Sequence, residues 1–153
     1  MERDRVLAEI KKYFDIEELV CDHVLGVWGE NAWQFFDTAF LETLLILRRD
    51  IIQRPMYCNN RAKGLRQRGL RCNMCEIVKE KTRPYLSAHI FGKGADFSIE
   101  GVNGVKEMDY IRQKIRMCIG GLPHPIRMEA GVSWLHIDVM PTPNGERIYE
   151  FRA

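Results

Sequence analysis

Two short stretches, Ala95-Asp-Phe-Ser-Ile-Glu100 and Ser133-Trp-Leu-His-Ile-Asp-Val139, alternate apolar and polar residues with a period of two. That period is the mark of a strand with one face on a core and the other turned away from it. In the first stretch Ala95, Phe97 and Ile99 share the apolar face, opposite Asp96, Ser98 and Glu100. In the second, Leu135, Ile137 and Val139 lie opposite Trp134, His136 and Asp138. A chain with two such segments is constrained to build a sheet and to cover one side of it with apolar side chains.

Helical periodicity upstream supplies the cover. Residues 3–14 place Val6, Leu7, Ile10 and Phe14 at helical spacing, and residues 31–53 do the same with Phe36, Phe40, Leu44, Leu47 and Ile51. Arg48 and Arg49 suit the negative end of the second helix dipole, and Pro55 stops that helix. Met56-Tyr57-Cys58 is expected as a short strand, and the polar, basic stretch 59–84 as a long loop with at most one helical turn. A further helix is predicted over 107–119, with Met108, Ile111 and Ile115 on one side and Gly120-Gly121-Leu122-Pro123 ending it. Strands at 126–129, 133–139 and 147–151 complete the chain, separated by Ala130-Gly131 and the Pro-Thr-Pro-Asn-Gly turn at 141–145. Helices first and antiparallel strands mostly later predict an α+β fold: N-terminal helices packed on a small, mostly antiparallel sheet, in a single domain over residues 1–153.

Composition narrows the class. With 153 residues, 46% hydrophobic and 29% charged, the chain is large enough to bury a core and has the balance of a globular protein. No apolar run approaches the roughly 20 residues that span a bilayer, so no membrane partner is expected. The opening MERDRVLAEIKKYF has neither an apolar h-region nor a small-residue cleavage site, which argues against a Sec signal peptide. Cys21, Cys58, Cys72, Cys75 and Cys118 form an odd set, best read as reduced thiols in a cytosol of synthesis. A net charge of +2 does not argue for nucleic acid, and no aromatic residues interleave with the basic residues at 61–71 to stack on bases. No nucleic-acid partner is expected.

The polar strand faces carry the chemistry. If the two strands pair, Asp96 and His136 project into a common site. His89 lies seven residues before Asp96, and Gly92 and Gly94 let the intervening backbone curl. Two histidines and a carboxylate with an open fourth position form the donor set of catalytic zinc, although iron in a facial triad uses the same set. One Zn2+ per chain, on His89, Asp96 and His136, is the expectation. A competing reading places zinc on Cys58, Cys72 and Cys75, because Cys72-Asn-Met-Cys75 is a CxxC pair that would clip the long loop. No second pair follows at finger spacing, and the plainer reading is buried or loop thiols.

The series Ser87-Ala-His89-Ile-Phe-Gly92-Lys-Gly94-Ala-Asp96 resembles the S-x-H-x-x-G-x-A-x-D signature of the M15 peptidases, the D-Ala-D-Ala carboxypeptidase family with a hedgehog-type zinc fold. Trp134-Leu-His136-Ile-Asp138 resembles that family's later W-x-H-x-D element, and Gln67-Arg-Gly69-Leu-Arg71 looks like its S-G-[YF]-R segment. Phe14-Asp-Ile-Glu-Glu-Leu-Val-Cys-Asp-His-Val24 and the helix ending at Ile52 look like the N-terminal half of its phage and bacterial branch, so the likeness spans most of the chain. It implies zinc on His89, Asp96 and His136, with Arg71 stabilising an oxyanion or binding a substrate carboxylate and Ser87 lining the site. It also implies a peptidoglycan peptide as substrate, cut at a D-alanyl or related D-amino-acid bond. Without an export signal, the expected setting is a phage or prophage lysin, made in the cytoplasm and released to the wall or carried on a phage particle.

The chain departs from the family pattern in two places. Gly94 stands where the signature has alanine, a change in size expected to be harmless. Ser133 stands three residues before the last histidine, where several members carry an acidic general base, and serine cannot accept a proton from a zinc-bound water at neutral pH. That leaves Asp138, on the strand face of His136, and Glu129, across the Ala130-Gly131 turn, with Asp138 favoured. Asp138 could equally orient a histidine ligand. Arg71 has a plain alternative as a solvated charge beside Arg61, Lys63, Arg66 and Arg68. Two functions follow: a zinc peptidase acting on cell-wall peptides, or a metal-binding module of the same fold without turnover.

Overall fold

The computed structural model describes residues 1–153 and is an α+β fold with six helices and a five-stranded sheet. The helices are α1 (Arg3–Ile10), α2 (Ile16–Leu19), α3 (Asp22–Trp28), α4 (Thr38–Ile46), α5 (Glu76–Lys79) and α6 (Gly104–Met117). The strands are β1 (Met56–Tyr57), β2 (Gly94–Ile99), β3 (Ile126–Glu129), β4 (Leu135–Asp138) and β5 (Ile148–Phe151). Their spatial order is β1-β2-β4-β3-β5; every neighbouring pair is antiparallel except β3 and β5. No helix is long and apolar enough to cross a membrane.

The central helix begins later than its apolar periodicity suggests. Residues 29–35 form a 3-10 segment, the backbone turns extended at Phe36, and Asp37 starts α4 by accepting hydrogen bonds from the amides of Ala39 at 2.8 Å and Phe40 at 3.2 Å. An N-cap of this kind contributes about 1 kcal/mol and sets the helix start more firmly than side-chain periodicity does. Phe40, Leu41, Leu44 and Leu45 are buried around much of α4, as befits a helix enclosed by the core. The chain widens to a π-helix over Leu47–Ile52 and stops at Gln53, whose φ of 58° is left-handed, before Pro55.

The inward face of the sheet is the apolar one expected. Ala95, Phe97, Ile99, Leu135 and Ile137 join Val6, Ile10, Phe36, Phe40, Met108 and Ile115 in one core, each large side chain adding about 1.5–3 kcal/mol of transfer free energy. Arg112 is buried among them on α6, 1% exposed. Its guanidinium donates to the carbonyl oxygens of Val132 at 2.5 Å and Trp134 at 2.8 Å, and pairs with Asp109 at 2.5 Å. A buried cation thus holds the approach to β4, where the helical pattern of 107–119 pointed only to apolar packing.

The stretch between β1 and β2 is mostly irregular, with the short α5 as its one α-helical turn. It is tied down through its backbone: the Leu70 amide donates to Leu19 O at 2.8 Å, the Cys21 amide to Leu70 O at 3.0 Å, and the Asn59 side chain to Val20 O at 2.9 Å.

Candidate metal centre

Sheet register assembles the site. Asp96 on β2 stands directly opposite His136 on β4, and one row along Gly94 stands opposite Asp138. Arg127 on β3 is opposite Asp138, and Glu129 pairs with Phe151 on β5. Continuing the β3–β4 register sets Glu129 opposite His136. Residues opposite one another project to the same face, so Asp96, His136, Glu129 and Phe151 form one row across four strands.

His89 arrives from the turn before β2. The Ser87 hydroxyl accepts a hydrogen bond from the His89 amide at 3.3 Å, and the Lys93 amide closes the turn on Ala88 O at 2.9 Å. Gly92 has φ 64°, and a Cβ there would lie 2.1 Å from Phe35 O, so the turn tolerates only glycine. Gly94 has no more room. A Cβ at that position would lie 2.6 Å from the Asp138 Cβ and 2.9 Å from the Ala88 Cβ. The expectation that alanine and glycine are interchangeable there is therefore corrected: Asp138, packed across the strand pair, occupies the space a methyl group needs.

One donor atom from each of His89, Asp96 and His136 lies within 4.8 Å of the other two. Hydrogen bonds select which nitrogens face inward. His89 Nδ1 donates to Gly69 O at 2.8 Å, leaving Nε2 toward Asp96, 3.5 Å from Oδ2. His136 Nε2 donates to Asp138 Oδ2 at 2.7 Å, and its Nδ1 lies 2.7 Å from Asp96 Oδ1. Each imidazole thus gives its outer N–H to an oxygen and presents the other nitrogen to a shared point. This arrangement fixes tautomer and ring orientation in metal-binding histidines.

The electrostatics agree with a site held together by charge. Burial opposes a charge on His136, but its bonds to Asp138 and Asp96 outweigh this and raise its pKa to about 9. His89 is pushed the other way, to about 4, chiefly by burial and in spite of Asp96. Burial also disfavours ionised Asp96 and Asp138, yet the His136 bond leads the contacts that hold both below the usual carboxylate range.

Arg71 belongs to the cleft and not to the solvent. Its guanidinium is bonded to Gln67 O and the Tyr85 hydroxyl, and Nη2 lies 3.7 Å from Asp96 Oδ2. Arg71, Ser87, Glu129, Trp134 and Phe151 line one open depression together with His89, Asp96 and His136. Asp138, favoured from the sequence as the proton acceptor, is committed elsewhere. It is fully buried, takes both Arg127 Nε at 2.7 Å and Nη2 at 3.0 Å, and holds His136 with its second oxygen. Glu129 has no side-chain partner and faces the cleft, while Ser133 is exposed and does not line it. Phe151, against the His136 ring at 5.6 Å between centroids, and Arg127 were not anticipated; only the spatial order of β3 and β5 brings them in.

The structure holds a second cluster of donors: Cys21, His23, Cys72 and Cys75. Cys58 is not among them. It is fully buried beside Arg68, so the reading that joined Cys58 to the CxxC pair is corrected to one that uses Cys21 and His23. No protein-family model matches the chain, and no curated protein or solved structure matches it either.

Proposed function

We propose that the chain is a zinc-dependent peptidase of M15 type that hydrolyses peptide bonds in peptidoglycan. The observation that carries this reading is the convergence of His89 Nε2, Asp96 and His136 Nδ1, with the outer nitrogen of each imidazole already engaged. This donor set, the His89 nitrogen, the His136 nitrogen once its proton has left, and a carboxylate beside an open cleft, fits zinc with a position left for substrate. When bound there, zinc supplies Lewis acidity toward a carbonyl oxygen and lowers the pKa of a coordinated water.

The residues around it have separable tasks. Arg71, braced by Gln67 and Tyr85, presents a fixed cation to charge developing on the substrate, or to a terminal carboxylate of a D-alanyl peptide. Glu129, free of partners, accepts a proton in the cleft and passes it to the leaving amine. Asp138, clamped by Arg127, keeps His136 in the productive tautomer. Trp134 and Phe151 wall the cleft where a peptide lies. A lysin of phage or prophage origin acting at the cell wall is the setting that the motif resemblance supports.

The test is incubation of the purified chain with muropeptides, followed by mass spectrometry of the products and metal analysis of the protein. Loss of a D-alanyl residue or cleavage of a cross-link, abolished in His136→Ala, supports the proposal. Serine at position 133, where the family pattern carries an acidic base, favours a second reading, a metal-binding module without turnover. Intact muropeptides in the presence of stoichiometric zinc would establish that one.

A further inference from the structure

Cys21, His23, Cys72 and Cys75 place four donor atoms within 4.8 Å of one another. Cys72 Sγ lies 3.6 Å from His23 Nδ1 and 4.0 Å from Cys75 Sγ, and Cys75 Sγ lies 3.9 Å from His23 Nδ1. A tetrahedral zinc ion, with Zn–S near 2.3 Å and Zn–N near 2.0–2.1 Å, sets donor separations of about 3.6 Å between N and S and about 3.8 Å between two sulfurs. The observed values fall within a few tenths of these. They are far from the ~2.05 Å of a disulfide, and all five cysteines are free thiols.

The geometry points to a structural Zn2+ site formed by Cys21, His23, Cys72 and Cys75, distinct from the His89–Asp96–His136 centre. Four protein donors close the coordination sphere, which marks a structural and not a catalytic site. The backbone suits thiolate ligands: the Met74 amide points at Cys72 Sγ and the Cys72 amide at Cys75 Sγ, each at 3.4 Å. Amide donors of this kind support the negative charge that metal-bound sulfur carries.

The position explains why a clip belongs here. Between β1 and β2 the chain buries little apolar surface beyond Cys58, Leu70, Cys75 and Ala88, so it has no core of its own. Two ligands come from this irregular stretch and two from the start of α3, beside the Val20–Leu70 bridge. Arg71 lies between Leu70 and Cys72. The clip therefore holds the segment that delivers Arg71 to Asp96 and the Gly69 carbonyl to His89.

Metal analysis and native mass spectrometry of the full chain test this directly. Two zinc ions per chain are expected. Cys72→Ser or His23→Ala should lose one, and His136→Ala the other. If the His89 centre does not bind metal, a single zinc remains that is lost in Cys72→Ser and kept in His136→Ala, so the two assignments fail separately. Cobalt(II) loading of the unaltered chain guards against variants that do not fold. An intense thiolate-to-cobalt charge-transfer band, retained in His136→Ala, supports the clip. Absence of that band, or a Cys72–Cys75 disulfide in protein purified without reductant but with zinc, overturns it.

Discussion

Asp138 binds His136 on the side of the imidazole away from Asp96, with 2.7 Å hydrogen bonds at both ring nitrogens. One carboxylate therefore faces the candidate metal position and the other stands behind the ring, although the two strand patterns present them alike. This separation decides what each acid can do. Asp138→Asn should weaken zinc binding by about 10–100-fold, with activity recovered at excess zinc. Glu129→Gln should retain zinc and lose about 10²–10⁴-fold in turnover. Zinc titration and muropeptide cleavage rates on both variants check the assignment; an Asp138→Asn enzyme with full zinc and no activity would reverse it.

Arg71→Ala is expected to keep its zinc and to lose about 10²–10³ in rate, the loss typical of removing one group aimed at developing charge. Arg71→Lys should recover only part of this, since an ammonium cannot hold Gln67 O, the Tyr85 hydroxyl and the substrate together. Unchanged cleavage by Arg71→Ala at full zinc occupancy would remove Arg71 from the machinery.

Protonation of the two histidines makes the stability of chelator-treated protein depend on pH. His136, raised to about 9, contributes stability that is complete below its unfolded pKa near 6.5 and lost as pH rises through 9. His89, lowered to about 4, contributes stability that is complete above about 6.5 and lost as pH falls through 4. Below pH 6.5 the loss from His89 is opposed by Glu18, which burial raises to about 7, so thermal melts should change little just below 6.5 and fall as pH rises from there through 9. Zinc binding here would also displace the His136 proton, so proton release measured by calorimetry at pH 7 in buffers of different ionisation enthalpy should fall by about one in His136→Ala, the remainder coming from the cysteine cluster.

Gly94→Ala should lower stability by about 1–3 kcal/mol and weaken zinc binding with it, because the added methyl meets Asp138 and Ala88. Thermal melts and zinc titration read the two effects. An unperturbed melting temperature would show that β2 and β4 can separate at this point without cost.

Much of this arrangement was legible in the chain. The period-two stretches at 95–100 and 133–139 defined which residues face the core, and the observed Asp96–His136 pairing follows from the polar faces they set. The α+β class was accessible too, and the strands expected at 126–129 and 147–151, set off by the Ala130-Gly131 and Pro141–Gly145 turns, are observed at 126–129 and 148–151, because turn chemistry is a local property. Other features depend on partners distant along the chain. The start of α4 was decided by the Asp37 cap, within an apolar pattern that continues through it. Arg112 is buried because two carbonyls of a later loop come to meet it. Cys21 and His23 join Cys72 and Cys75 only because the Leu19–Cys21 backbone pairs with Leu70. The sequence favoured Asp138 over Glu129 as the proton acceptor, because it shares a strand face with His136. Arg127, brought alongside by the β3–β4 register, occupies Asp138 and leaves Glu129 free, since a carboxylate's chemistry is set by the groups that reach its oxygens. Local pattern determined which way each side chain points; tertiary structure decided what it meets there.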